Sequence, residues 1–191
     1  AKFKQGGTVV ELGYNYQLQK DQNKATKYYD DAIERINKTP AEVYGVAYQF
    51  EKRGLIDYAL KAYQLALQKE PNFKFNYQMA LLYGQKGDME MMIEMFLVDS
   101  YSNPQNLIMI QNQLARFMTE DSSVTFNEML KKALLTRVQK SQDVFWNQYL
   151  SGYYTQKKEY GKAFIQEKTI YKRNPDTFAN IVNLAKLAIE E

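Results

Sequence analysis

The sequence predicts an all-α protein in which short helix pairs stack into an α-solenoid. Good helix formers such as Ala, Leu, Lys and Glu are abundant in its 191 residues, and only four prolines and nine glycines interrupt them. Apolar residues recur at steps of three and four, which places them on one face of a helix. The whole pattern then returns after 33 or 34 residues, as expected of stacked repeats.

The clearest repeat lies between Pro40 and Pro71. Its first helix presents an apolar face that consists of Val43, Val46, Ala47 and Phe50. Gly54 follows, and we expect it to adopt the left-handed conformation that ends a helix. A second helix then presents Ala59, Tyr63, Ala66 and Leu67, and Pro71 ends it.

The same pattern occurs three more times. In the downstream copy, 33 residues later, the corresponding residues are Met79, Ala80, Tyr83, Gly87, Phe96 and Pro104. In the upstream copy, 34 residues earlier, they are Leu12, Gly13, Tyr16, Ala25, Tyr29 and Ala32. The copy near the end of the sequence holds Leu150, Ser151, Tyr154, Ala163, Ile170 and Pro175. It departs from the pattern at Glu167, where the second helix normally carries an aromatic residue.

This pattern resembles the tetratricopeptide repeat over nearly the whole chain. The resemblance implies a right-handed superhelix of antiparallel helix pairs. It divides a single array into repeats at about 6–39, 40–72, 73–105, 106–141 and 142–175. Residues 106–141 keep two amphipathic stretches but lose the signature. We interpret them as a degenerate repeat with a longer turn, in which Ser122 or Ser123 caps the second helix.

Residues 176–191 resemble the first helix of a sixth repeat, which either caps the array or is a truncated repeat; we favour truncation. We expect its apolar face to consist of Ile181, Leu184, Ala185 and Ala188. The exposed far face would then carry Asn180, Val182, Asn183, Lys186 and Leu187.

The composition excludes several functional classes. The chain has no cysteine and no histidine, which removes disulfides, zinc sites of Cys and His, and a Ser-His-Asp triad. The net charge of +3 is small for a nucleic-acid-binding protein. No apolar run approaches the roughly 20 residues that span a membrane. We therefore expect no catalytic residue, metal or cofactor, no nucleic-acid partner and no membrane insertion. A composition rich in Lys, Asn, Gln and Tyr resembles bacterial repeat proteins of the cytoplasm or the periplasm, with a slight preference for export.

The resemblance also implies a function. In tetratricopeptide arrays the first helix of each repeat lines a concave groove that holds a peptide or a helix of a partner protein. We therefore expect a non-catalytic protein-interaction module. The residues that match groove positions are Tyr14, Gln17, Tyr44, Tyr48, Lys74, Tyr77, Asn112, Arg116 and Gln148. The alternative for the tyrosines is ordinary packing between helices, since the chain contains 16 of them.

One well-known kind of tetratricopeptide groove can be compared with this sequence directly. Chaperone-binding tetratricopeptide domains clamp a terminal carboxylate with Lys, Arg and Asn side chains. Here the matching positions hold Val10, Tyr14, Gly45, Lys74 and Gln78, and only Lys74 fits, so we expect no such clamp in these repeats.

The alternative function is a structural spacer or scaffold arm of a larger envelope or secretion assembly. Such an arm would make contact through its convex face, or self-associate through its terminal helix.

Overall fold

A computed structural model describes residues 5–119 and 123–190. Over these two ranges the chain forms α-helices joined by short turns and contains no strand, which confirms the all-α prediction. Three of the helices follow a short 3-10 turn, at Pro40–Glu42, Pro104–Asn106 and Pro175–Thr177. The helices are α1 Gly6–Leu18, α2 Gln22–Lys38, α3 Val43–Lys52, α4 Ile56–Lys69, α5 Asn76–Gln85, α6 Met89–Ser102, α7 Leu107–Thr119, α8 Ser123–Lys140, α9 Val144–Gln156, α10 Tyr160–Arg173 and α11 Phe178–Glu190.

The chain divides into two compact units after Asn103. The first unit contains the pairs α1–α2, α3–α4 and α5–α6, and α1 also packs on α3. The second unit contains the pairs α7–α8 and α9–α10, with α11 packed on α10. The longer turn expected between Thr119 and Ser123 lies mostly outside the described residues, and so does the predicted cap. The repeat boundaries given above stay predictions.

Four of the helix pairs turn in the same way. The backbone N–H groups of Asp21, Leu55, Asp88 and Glu159 each donate to the carbonyl five residues earlier, over 2.9–3.0 Å. Those carbonyls belong to the repeated aromatic residues of the first helices, which are Tyr16, Phe50, Tyr83 and Tyr154. The residue before each donor has a positive φ, and these residues are Lys20, Gly54, Gly87 and Lys158. The prediction for Gly54 is therefore confirmed, and the turn is a Schellman-type helix end.

A small residue in the first helix of a pair makes room for an aromatic ring of the second. Gly13 of α1 lies against Tyr29 of α2, and a Cβ added to Gly13 would lie 2.6 Å from a ring carbon. The Tyr29 hydroxyl donates to Gln17 Oε1 over 2.7 Å. The next pair has the equivalent bond, from the Tyr63 hydroxyl to Glu51 Oε1. In both pairs a buried ring of the second helix is held by an acceptor twelve residues earlier.

The core of the second unit contains hydrogen-bonded polar groups as well as apolar side chains. Asn127 of α8 is buried, and its amide donates to the Met118 carbonyl of α7 over 3.3 Å. Its own carbonyl accepts from the Tyr153 hydroxyl of α9 over 3.1 Å. These bonds tie three helices together. Trp146 of α9 is also buried, and the Arg137 guanidinium lies 5.2 Å from its ring.

Substitution of Gly13 tests its packing against the Tyr29 ring, and Gly152 in another first helix serves as the control. In Gly13→Ala the new methyl group meets Tyr29, so we expect the free energy of unfolding to fall by about 1–3 kcal/mol. Gly152→Ala is the matched control, because a Cβ there has no heavy atom within 4 Å. We expect it to raise stability by about 0.5–1 kcal/mol through helix propensity. Urea unfolding followed by circular dichroism measures both. Equal stability of the two variants would contradict the packing described.

Candidate functional site

The predicted groove residues of the first unit differ widely in exposure. Tyr44 and Tyr48 of α3 are 61% and 60% exposed. The Tyr44 ring packs edge-on against Phe73 and Phe75, with centroids 5.7 and 5.4 Å away, and still offers one side to solvent. Lys74, which precedes α5, is exposed. These three residues can contact a partner without any rearrangement of the fold.

The other three predicted residues of the first unit are engaged in packing. The Arg53 guanidinium lies 4.6 Å from the centroid of the Tyr14 ring. Gln17 accepts the hydrogen bond of Tyr29 described above. Tyr77 is half-buried against Phe96, at a centroid distance of 5.7 Å. All three side chains are only half-buried, so their role at a groove stays a prediction.

An open pocket of about 490 Å³ lies along α1 and α3 in the first unit. Thr8, Glu11, Tyr48 and Gln49 contribute to its lining. At one end the Gly6 N–H donates to the Glu42 carboxylate over 2.7 Å, which fixes the start of α1 on the turn before α3. The wall is therefore formed by two first helices whose backbones lie close together.

The second unit has a concave pocket of about 550 Å³, to which α7, α9 and α11 contribute most of the lining. Its base is apolar and includes Leu114, Tyr149 and Leu184. Amide side chains contributed by all three helices line it as well: Gln111, Asn112, Gln148, Gln156, Asn180 and Asn183. Two of the predicted site residues, Asn112 and Gln148, are thus brought to the same pocket. The third, Arg116, is exposed on α7 and does not line it.

A carboxylate lies within this amide-lined pocket. Glu167 of α10 lines it, is 9% exposed, and its buried Oε2 has no hydrogen-bond partner. Among the described residues that line the pocket, Glu167 is the only charged one. The sequence pattern also singles out Glu167, because it stands at the position where the first three repeats have an aromatic residue.

The sequence interpretation of α11 was wrong in part. Asn180, Asn183 and Leu187 are exposed, as expected, and they line the open pocket. In the described part of α11 only Leu184 is buried, while Ala185 and Ala188 are exposed. The sequence does indicate the face that lines the pocket, because residues 180, 183, 184 and 187 are spaced so that they lie on one side of a helix. The side chains that remain exposed on α11 include Phe178, Val182 and Ile189.

Burial raises the pKa of two tyrosines. Burial, and then the carboxylate of Glu159, raises the pKa of Tyr153, which lines the pocket, to about 12. Tyr63 in the first unit has a pKa raised first by burial and then by its hydrogen bond to Glu51. Each hydroxyl therefore remains a neutral donor at physiological pH and can keep its structural bond.

Two other properties bear on the site. Within residues 5–119 and 123–190, no acidic side chains group closely enough in threes to hold a metal ion. In the same ranges, none of the helices combines the length and the apolar character that crossing a bilayer requires.

Comparison with known proteins gives matches among solved structures. A scan of protein-family models found no match, and neither did a search of curated proteins. The chain is similar to a thermophilic TPR protein of Thermus thermophilus, with 14% identity, 96% of this chain and 99% of that chain covered, and a TM-score of 0.39. It is also similar to a tetratricopeptide repeat protein of Parabacteroides merdae, with 14% identity, 88% and 80% covered, and a TM-score of 0.36.

The class of the protein follows from the chain itself. Its helix pairs recur at the spacing of the sequence pattern, and four of them share one type of turn at corresponding residues. The buried small residues and aromatic rings fall at the repeated positions. The protein is an all-α helical repeat protein built from antiparallel helix pairs.

The raised pKa of Tyr153 predicts an alkaline loss of stability. Below pH 10 this tyrosine is neutral whether folded or unfolded, so its contribution is complete there. Between pH 10 and 12 the unfolded chain loses the proton first, and stability falls by about 2–3 kcal/mol. Tyr153→Phe should be less stable at pH 8 but should lose less stability over that range. Urea unfolding from pH 8 to 11.5 measures this, and equal slopes for both proteins would contradict it.

Proposed function

We propose that this protein binds a partner protein, and that the pocket of α7, α9 and α11 holds an extended peptide segment of that partner. The observation that carries the proposal is a pocket lining that combines six amide side chains with apolar residues. An amide group both donates and accepts hydrogen bonds, as a peptide backbone does. The apolar base can bury a side chain of the peptide. A volume of about 550 Å³ also falls within the usual range for ligand pockets.

We propose binding without catalysis, on the basis of the chemistry of this lining. Amides and hydroxyls recognise a ligand by hydrogen bonds. Acid-base catalysis requires a proton donor or acceptor with a suitable pKa at the reacting atoms. The lining presents a single carboxylate and amides beside it, an arrangement suited to recognition.

Tyr44 and Tyr48 form a second proposed contact, on the first unit. Both rings are more than half exposed on α3. Tyrosine offers a large apolar area with a polar tip and is enriched at protein interfaces. Tyr44 is also held by Phe73 and Phe75, so its ring loses less freedom when a partner binds.

The proposal is tested with peptides selected from a random phage-displayed library against the whole chain. For the tightest peptide, Asn112→Ala/Gln148→Ala should weaken binding about tenfold, because each lost hydrogen bond is worth about 0.5–1.5 kcal/mol. The matched control is Gln105→Ala/Gln139→Ala, which removes two exposed amides of the second unit that do not line the pocket. Calorimetry gives the affinities and circular dichroism checks the fold. Equal affinity of all three proteins would refute the pocket as the binding site.

A structural arm is the second candidate, and the exposed apolar side chains of α11 favour it. Phe178 is 55% and Ile189 is 84% exposed, with Val182 between them. Residues 178, 182 and 189 are spaced as one helical face, which α11 of a second copy could cover. On this alternative the protein dimerises, and Val182→Lys/Ile189→Lys shifts it to monomer in light scattering after size exclusion. A wild-type protein that stays monomeric at about 100 μM would contradict dimerisation through α11.

A further inference from the structure

We infer that the pocket of the second unit selects a peptide with a basic side chain, Arg or Lys, and that the Glu167 carboxylate is its counter-charge. This inference rests on the proposed function, since it requires a peptide in that pocket. It goes further by naming the side chain that the pocket recognises.

The internal repeat shows what Glu167 replaces. In the first two pairs the corresponding residues of the second helix are Tyr29 and Tyr63. Each donates a hydrogen bond to a side chain twelve residues earlier. Twelve residues before Glu167 stands Thr155, whose hydroxyl donates to the Ser151 carbonyl of its own helix over 2.9 Å. The hydrogen bond of the first two pairs is therefore not formed here, and an acceptor stands in place of a donor.

The surroundings leave this acceptor without a partner. Glu167 Oε2 is buried and accepts no hydrogen bond. None of the described residues that line the pocket carries a positive charge. A buried oxygen without a donor is unfavourable, because Oε2 has lost contact with water and has gained no hydrogen bond in return. A ligand that supplies a donor and a positive charge would relieve this cost, and the relief would appear as affinity.

The pocket also matches the remainder of such a ligand. A guanidinium carries five N–H donors, and the amide oxygens that line the pocket together with Glu167 can accept those that the carboxylate does not. Leu114, Tyr149 and Leu184 can contact the apolar stem of an Arg or Lys side chain. An acidic side chain would instead face a buried carboxylate of its own sign. Charge complementarity therefore favours a basic residue over a neutral or acidic one.

The test uses five Nα-acetylated, C-terminally amidated hexapeptides that are identical except for one central residue. That residue is Arg, Lys, citrulline, norleucine or glutamate, and acetylation removes the terminal amine as a source of positive charge. Binding to the whole chain is measured by NMR titration. We expect the Arg and Lys peptides to bind at least about tenfold more tightly than the citrulline and norleucine peptides, as for a charge-assisted hydrogen bond.

Variants assign this preference to one carboxylate. Glu167→Gln keeps the size and removes the charge, so the ratio of Arg to citrulline affinity should fall to about one. Glu128→Gln removes the same charge from an exposed position of the same unit, outside the pocket lining, and should keep the ratio. Glu167→Tyr restores the residue type of the first two pairs and should lose binding of all the peptides while remaining folded.

The outcomes separate the two proposals. If the five peptides bind equally to the wild-type protein, or if Glu167→Gln keeps the preference, the inference is overturned while peptide binding in the pocket stands. If none of the five binds at millimolar concentration and no library peptide is selected, the inference and the proposed function fall together.

Discussion

The fold depends on the close approach of the two helices in each pair. A large side chain at Gly13 would collide with the Tyr29 ring, so the first helix carries a small residue where the second carries an aromatic one. Ala47, Ala80 and Ser151 are buried at the corresponding positions. The same first helices end in a turn that is closed by the carbonyl of their own aromatic residue. One steric requirement thus links the spacing of the sequence pattern, the packing of the pair and the path of the chain between its helices.

The candidate site arises where this arrangement is interrupted. Where the repeat has a tyrosine, the ring fills the space within the pair and its hydroxyl is bonded internally, as at Tyr29 and Tyr63. At Glu167 the ring is absent and a carboxylate without a partner lines a pocket. Repeat proteins tolerate such a change because each unit is stabilised by contacts with its neighbours, so a loss in one unit is shared. The basic-peptide preference that we propose therefore rests on a departure from the pattern and not on the pattern itself.

The sequence predicts helices and turns well, but it does not predict which side chains meet across neighbouring helices. Helix existence, the buried face of α3 and the turn at Gly54 follow from residues close together in the chain, and these were predicted correctly. The left-handed conformation of Lys158 was not foreseen, because its residue type does not favour it. Gln17 matches a groove position, but the Tyr29 hydroxyl of the neighbouring helix engages it. The face of α11 that lines the pocket depends on its contacts with the rest of the second unit, and the repeat pattern does not encode these.

Trp146 gives the protein a built-in optical label. It is the only tryptophan in the chain, it is buried in the second unit, and Phe145 and the Arg137 guanidinium lie against it. Its fluorescence therefore reports on the surroundings of Trp146 in the second unit, whereas circular dichroism sums the helices of both units. Following the two signals through one denaturant titration separates the unfolding of the second unit from that of the whole chain. Because the chain has no cysteine, a single cysteine introduced into the first unit could be labelled with a fluorescent dye. The dye would then report on the unfolding of that unit separately.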